Sequence, residues 1–368
     1  MMEWKKLGDL GQFENIGTDK KIVDGEKSVT LLNYIDVYHH KYIDVTIPQM
    51  IVSASDKKIE QCTVEKGDLF VTPSSETIDD IGHSAVITDT IPNAVYSYHI
   101  MRFRLFERNL LLSYYINYAF DTELVKKQIF QKAQGLTRFG LSKDKFASIV
   151  IPIPSLSEQT RIVGILDTFT SAIDNLKEQI ALRRKQYEYY RDQLLDLEGK
   201  EGVEMKSLGE ISKKISSGKN KSKNSEGLYP VFGSTGIIAY SDEFVFDKPL
   251  ILVARVGANA GFVHLSYGKY DVTDNTLMID LLECANQKYI YYNLVREKIN
   301  KYAKGGGQPL ITSSILKNII IPVPSIEEQS RIVSILDTFE VSIKNLEAQL
   351  KEREKQYEYY RNKLLTFE

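Results

Sequence analysis

The chain has 368 residues, enough for two or three domains with cores of their own. Its 47 basic and 49 acidic residues leave a formal net charge of −2, which argues against a free-standing DNA binder, usually basic, but not against a DNA-reading subunit that borrows positive charge from a partner. Only two cysteines occur, Cys62 and Cys284, at no metal or redox spacing, so the expected compartment is a reducing cytoplasm. No apolar run approaches the roughly 18 residues that a membrane span needs, and the first residues lack the apolar stretch of a signal peptide.

In chain order, residues 1–154 read as a first α/β domain. The opening WKKLGDLGQF carries Trp4, Leu7 and Gly8. LLNYIDVYHHKYIDVTI is dense in β-branched and aromatic residues and predicts strand, on which the adjacent His39 and His40 face apart. GDLFVTPSSETIDDIGHSAVI predicts a turn, a short strand, a polar loop over residues 72–77 and a strand at Ala85 to Ile87. Apolar and aromatic residues from Leu105 predict a helix to about Gln131. A loop with Gln134, Gly135, Thr137, Arg138 and Phe139 follows.

Residues 155–198 predict the first long helix. Pro152 and Pro154 disfavour helix before Ser155, and Ser155 with Glu158 fits a capping box. Ile162, Leu166, Phe169, Ile173, Leu176, Ile180, Tyr187, Tyr190 and Leu194 follow at steps of three and four, a coiled-coil seam. About 40 helical residues span about 60 Å, too long for the core of one ordinary domain.

Residues 199–324 restart the pattern. MKSLGEIS places Met205, Leu208 and Gly209 as Trp4, Leu7 and Gly8 stand earlier. A polar loop at residues 219–227, strands around a turn at residues 233–236, a strand, turn and return strand in KPLILVARVGANAGFVHL, and one strand in YDVTDNTLMIDLL follow. Residues 286–303 predict helix, and residues 304–309 a loop. Residues 325–368 then repeat the long helix: the segments beginning at Ile149 and Ile319 align without a gap, with roughly 60% identical positions. Arg183 and Arg353 interrupt both seams at the same place, either setting register or snorkelling outward. Two copies are too few for a solenoid. They point to a pseudo-two-fold molecule with its two helices side by side as an antiparallel coiled coil.

Chemistry is hard to find in these residues. No G-x-x-x-x-G-K-[ST], no G-x-G-x-x-G after a strand, no H-E-x-x-H, no Cys/His cluster and no Asn-Pro-Pro-aromatic motif occurs. His83, His99 and His264 are isolated in sequence. Asp79 and Asp80 lack the second acidic group and lysine that a nuclease would place close by, and Asp271 and Asp274 read as structural. Lysines crowd residues 213–223, and lysines with Arg138 crowd residues 126–145, which solvated faces explain. What remains is a set of polar loops whose Ser, Thr, Asn, Gln, Lys and Arg side chains suit phosphates and base edges.

The doubled IP-x-P-S-[LI]-x-EQ-x-RIV-x-ILD segments at Ile151 and Ile321 resemble the specificity subunits of type I restriction-modification systems, and the likeness covers essentially the whole chain. GDLFVTPSSETIDDIG, YPVFGSTGIIAYSDE, LILVARVGANAGFVH and VTDNTLMI are similar to that family's target-recognition domains. The resemblance implies two target-recognition domains, each reading half of a split site in double-stranded DNA, joined by an antiparallel coiled coil that sets the spacer. It implies docking of two methyltransferase subunits carrying S-adenosylmethionine, with restriction subunits that use ATP and magnesium. It implies no catalysis and no cofactor in this chain, a cytoplasmic location and no membrane.

By position, Thr72, Ser74, Ser75, Thr77, Gln134, Thr137 and Arg138 are expected at DNA in the first domain, and Ser234, Thr235, Arg255, Asn259, Lys304 and Gln308 in the second. Turn capping and solvation explain the same residues equally well, and Arg255 could instead pair with Asp274. Glu158, Gln159, Arg161, Glu328, Gln329 and Arg331, with Tyr187, Tyr190, Tyr357 and Tyr360, are expected at the partner subunits. Helix capping accounts for Glu158 and Glu328 at least as well. A scaffold binding protein or RNA, and a standalone nuclease or methyltransferase, are the competing readings.

Overall fold

A computed structural model describes residues 2–107, 109–221, 224–305 and 307–367. Lys223 and Gly306, named above within loops, lie outside the described residues. The chain forms two compact units, Met1–Leu176 with Gln349–Glu368, and Lys177–Ala348. The long helices, Leu156–Leu194 and Ile326–Thr366, are therefore not separate domains: each is shared between the units.

The first unit is built on a five-stranded sheet in the order Gly11–Glu14, Met101–Leu105, Leu69–Val71, Ser84–Ile87, Tyr42–Ile43. Because side chains alternate along a strand, the central strands feed two cores. Leu69, Val71 and Val86 point to one with Phe103, Tyr115 and Phe146, while Phe70, Ala85 and Ile87 point to another with Leu31, Val95 and Tyr96. The second core is closed by a small sheet of Met50–Ala54, Lys27–Leu32 and Ala94–Tyr96.

The second unit repeats this plan. Its main sheet runs Ser212–Ser217, Thr276–Leu281, Leu250–Ala254, Val263–Ser266. Ile251 and Val253 enter one core, Leu250 and Leu252 the other. A smaller sheet pairs Val231 with Asp271 in parallel, as Thr30 pairs with Ala94 in the first unit.

The restart of the sequence has the same structural meaning in both units. Glu3–Lys6 pairs with Val150–Ile153, and Glu204–Ser207 with Ile320–Val323, immediately before each long helix. Leu7 and Leu208 then donate their amides to the carbonyls of Ile149 and Ile319, at 2.9 and 2.7 Å.

Several predicted elements change. Tyr34–His39 is a helix within the expected strand, because the Asn33 side chain caps it and Asp36 bonds back to the Asn33 amide at 2.8 Å. His39 therefore ends a helix rather than lying on a strand. The expected helix from Leu105 to Gln131 is a strand end followed by two helices, Leu110–Ala119 and Glu123–Lys132, the second started by the Thr122 hydroxyl. YDVTDNTLMIDLL is two strands, Lys269–Val272 and Thr276–Leu281. Residues 286–303 divide at Lys298, which turns left-handed between an α-helix and a 3-10 helix.

Within each unit the long helices pair antiparallel, through equivalent residues. In the first unit Phe169 stacks on Tyr360 with centroids 5.3 Å apart, and the Arg353 guanidinium lies 5.7 Å from the Phe169 ring. In the second Phe339 stacks on Tyr190 at 5.5 Å, with Arg183 at 5.9 Å. The guanidinium groups of the two seam arginines thus lie over aromatic rings of the opposite helix, a cation–π contact. The Ser155 and Ser325 hydroxyls accept the Glu158 and Glu328 amides at 3.4 and 3.3 Å, but the carboxylates turn to Arg161 and Arg331, so only half of each capping box forms.

A tyrosine pair then ties each globular part to its long helix. Tyr115 donates to the Pro152 carbonyl at 2.7 Å and Tyr118 to Asp167 at 2.6 Å. Tyr289 donates to Pro322 at 2.8 Å and Tyr292 to Asp337 at 2.7 Å. Burial, then Tyr42 and Asp167, push the Tyr118 hydroxyl far above the usual tyrosine range, so it remains a donor. Replacing Asp167 by Ala removes the short bonds of both this hydroxyl and that of Tyr42, leaving only the longer contacts to each other at 3.4 Å and from Tyr118 to Thr170 at 3.3 Å, at a cost of about 1–3 kcal/mol. Asp167→Ala is expected to lower the urea midpoint followed by fluorescence of Trp4, the single tryptophan, and Asp167→Asn to recover most of the loss.

Candidate nucleic-acid interface

Two loops meet at the end of the main sheet in each unit, and their backbone bonds are the same. In the first unit, the amides and carbonyls of Gln134 and Gly140 bond each other at 3.0 and 2.8 Å, pinching off a turn. Leu141 then donates to the Pro73 carbonyl at 2.9 Å, and Ser74–Ser75 pairs with Phe139–Gly140. In the second unit, Lys304 and Leu310 bond at 3.1 and 2.9 Å, Ile311 donates to the Arg255 carbonyl at 2.8 Å, and Val256 pairs with Leu310. Gly82 and Gly261 close the partner loops by donating to Thr72 and Ala254 at 3.0 and 2.8 Å.

This framework sorts the expected residues. Gln134, Thr137 and Arg138 are exposed on the pinched turn, and the Arg138 guanidinium donates to the Ser74 hydroxyl at 3.3 Å. Ser74 and Ser75 are half-buried beside it, and Thr77 is exposed. Lys304 and Gln308 are exposed on the matching turn, with Arg255 and Asn259 on its partner loop. Arg255 bonds the Asp274 backbone carbonyl at 3.3 Å, not its carboxylate. Thr72 needs correction: it is fully buried behind the loop and presents no surface. Ser234 and Thr235 form the tip of a hairpin in the smaller sheet and take no part in the backbone bonds of the two-loop framework.

The structure also assembles residues that are scattered in sequence. The Asp80 carboxylate accepts from Tyr38 at 3.0 Å, from His83 Nε2 at 2.9 Å and from Ser75 at 3.4 Å. Tyr38 lies against the His83 ring at 4.3 Å and stacks with Tyr34 at 5.7 Å. His83 is thus not isolated. Some burial pushes Asp80 up, but the bonds from His83 and Tyr38 outweigh it and hold the carboxyl below its usual range. An ionised carboxylate only accepts, so His83 Nε2 carries a proton, which in the neutral form of the ring leaves Nδ1 as an acceptor. Tyr34 and Tyr38 sit one helical turn apart, the only sequence signal for this face.

The expected partner residues divide similarly. Gln159 and Gln329 are buried, at 5% and 0% exposure, and donate to the Pro154 and Pro324 carbonyls at 2.9 Å each. Gln329 Oε1 also accepts the Asn286 amide at 2.8 Å. These glutamines fasten each long helix to the strand before it and do not reach a partner. Tyr187 and Tyr357 pack against the unit cores, and Tyr190 and Tyr360 stack on phenylalanines. Their chain neighbours Tyr189 and Tyr359 are more open, at 58% and 59% exposure. The ion pairs Glu158–Arg161 and Glu328–Arg331 are exposed. Among the described residues no group of three or more His, Cys, Asp or Glu could hold a metal ion.

Gly135 makes the first turn possible. Its φ is +139°, and a Cβ there would lie 1.9 Å from the Arg138 carbonyl oxygen. Gly135→Ala is expected to open the turn and speed hydrogen exchange at the Gln134 and Gly140 amides by roughly 5- to 100-fold, from about 1–3 kcal/mol of backbone strain. Exchange in the strands Leu69–Val71 and Met101–Leu105 is expected to stay unchanged.

The comparisons with known proteins agree with this architecture. The family model for the type I restriction modification DNA specificity domain matches residues 1–183 and again residues 198–354. The chain is 30% identical over 339 residues to the type I restriction enzyme EcoprrI specificity subunit of Escherichia coli, covering 83% of this chain and 80% of that one. Its fold is similar to the S subunit of a type I restriction-modification system from M. genitalium, with a TM-score of 0.65 over 99% of this chain and 96% of that chain at 16% identity. A chain solved in a study of complex assembly and conformational transition of the type I R-M system has a TM-score of 0.59, also at 16% identity, over 99% of this chain and 97% of that one. Two matches to one domain model, on the two halves in which the same loop framework recurs, make this chain a member of the type I restriction-modification specificity subunit family.

Proposed function

We propose that this specificity subunit reads a bipartite site in double-stranded DNA, one half-site per unit, and performs no chemistry itself. The observation that carries the reading is the repeated two-loop framework. Its backbone bonds are the same in both units, whereas the exposed side chains differ, Gln134 and Arg138 in one and Lys304 and Gln308 in the other. A constant scaffold with different donors and acceptors is what reading two different base sequences requires. Arginine offers paired donors to guanine and glutamine a donor and an acceptor to adenine. Ser74, Ser75, Thr77, Thr137, Arg255 and Asn259 supply further contacts from the same loops, and Ser234 and Thr235 a separate one.

The paired helices set the spacer and dock two methyltransferase subunits. Tyr189 and Tyr359 are suited to that docking, since exposed aromatic residues are favoured at interface cores. Tyr190 and Tyr360, still 44% and 41% exposed, and the paired Glu158–Arg161 and Glu328–Arg331 border the same stretches. S-adenosylmethionine belongs to the methyltransferases, and ATP with magnesium to restriction subunits. The net charge of −2 fits a chain whose partners supply phosphate contacts. No helix among the described residues is long and apolar enough to cross a membrane, in keeping with action on DNA in the cytoplasm.

A genome-wide adenine-methylation map with and without this gene tests the reading. The expected result is loss of methylation at one split motif when the gene is removed. Inserting four residues at equivalent places in both long helices is expected to lengthen the spacer and leave both half-sites unchanged, because each added residue extends a helix by about 1.5 Å. An altered half-site with an unaltered spacer would contradict the role given to the helices.

A further inference from the structure

The two units share their framework, so whatever differs between them is free to differ in what it reads. The stretch from the paired position to the closing glycine runs from Ser74 to Gly82 in the first unit but only from Val256 to Gly261 in the second. The extra residues of the first unit carry Asp80, and the shorter turn has no carboxylate.

Asp80 gathers three separate segments: the helix Tyr34–His39 through Tyr38, the strand Ser74–Ser75 through Ser75, and the loop after it through His83. The Tyr38 ring is not packed against either hydrophobic core of the first unit. The Asp80 and His83 side chains are about one third exposed, at 34% and 37%. A hydrogen-bonded network outside the apolar cores, held partly in water next to the exposed turn bearing Arg138, is placed to meet a ligand with its polar groups already oriented.

We propose that this cluster determines the half-site read by the first unit: Tyr38, Ser75, His83 and Arg138 meet the major-groove edges of the bases, and Asp80 is the positioning residue that holds the first three in one arrangement. The proposal rests on the DNA-reading role given above. Its chemistry is mixed. Arg138 offers only donors, suited to guanine, while the neutral His83 ring presents Nδ1 as an acceptor suited to the exocyclic amino group of cytosine or adenine. Free rotation of these groups would blur that pattern, and the Asp80 carboxylate removes the freedom.

The test uses the full chain assembled with its methyltransferase, with the methylated motif mapped across a host genome for wild type, Asp80→Asn, Tyr38→Phe and His83→Gln. Each variant is expected to relax one or two positions of a single half-site, with preference for the original base reduced roughly 5- to 100-fold. The other half-site and the spacer should stay as in wild type, which a merely structural role would not produce. If Asp80→Asn abolishes all methylation by unfolding the unit, Tyr38→Phe decides, because it removes one hydroxyl and keeps the ring. Wild-type preference at both half-sites in Tyr38→Phe and His83→Gln would overturn the proposal while leaving the DNA-reading role intact. Absence of any split motif in wild type would overturn that role and the proposal together.

Discussion

Each globular part of this protein is held by a tyrosine hydroxyl on an aspartate of a long helix. Tyr118 on Asp167 and Tyr292 on Asp337 are buried or partly buried hydrogen bonds to charged acceptors, stronger than bonds between neutral groups. A helix of about 40 residues with one apolar stripe is marginal alone, and most of its stability comes from packing. Here that packing is supplied locally. The early turns of each helix, through Ile162 and Leu166 or Ile332 and Leu336, complete the core of the unit they enter. The late turns add Leu365 to the first unit and Leu195, just past the first helix, joins the core of the second. The helices therefore belong to both units and are not an independent rod.

The division of labour within a unit follows from the same arrangement. The sheet, the short strand pair and the tyrosine anchors recur in both halves, and they fix where the two loops meet. The loops project beyond the sheet, where side chains are free to vary without disturbing the core. Specificity can then differ between the units while folding stays common to both. The polar groups proposed to read DNA are arranged by bonds among themselves, as around Asp80, and by backbone pinches at Gly135 and Gly305. Oriented donors lose less freedom on binding than mobile ones.

The duplicated segments that carry much of the family resemblance prove to be structural. Gln159 and Gln329 look like interaction residues in the doubled motif but are buried fasteners of the helix start. Likewise, the seam arginines cap aromatic rings, and two of the four expected partner tyrosines pack against cores. Repetition within a chain marks what the two halves share, which is the scaffold. The candidate readers lie in the stretches that do not repeat.

Sequence alone determined the two long helices, the restart at Met205, the antiparallel pairing and the positions of the polar loops. All of these depend on periodicity, on proline and serine signals and on internal identity, which are local or repeated properties. Tertiary structure alone decided the rest. The helix Tyr34–His39 is the exception, since the Asn33–Asp36 cap that starts it is local and was masked by the strand propensity around it. Thr72 and the two glutamines are polar residues whose burial depends on distant segments folding over them. The meeting of Tyr38, Ser75, Asp80 and His83 depends on chain separations of up to 45 residues closed by the sheet, since polar side chains carry no periodic signal of which partner they will find.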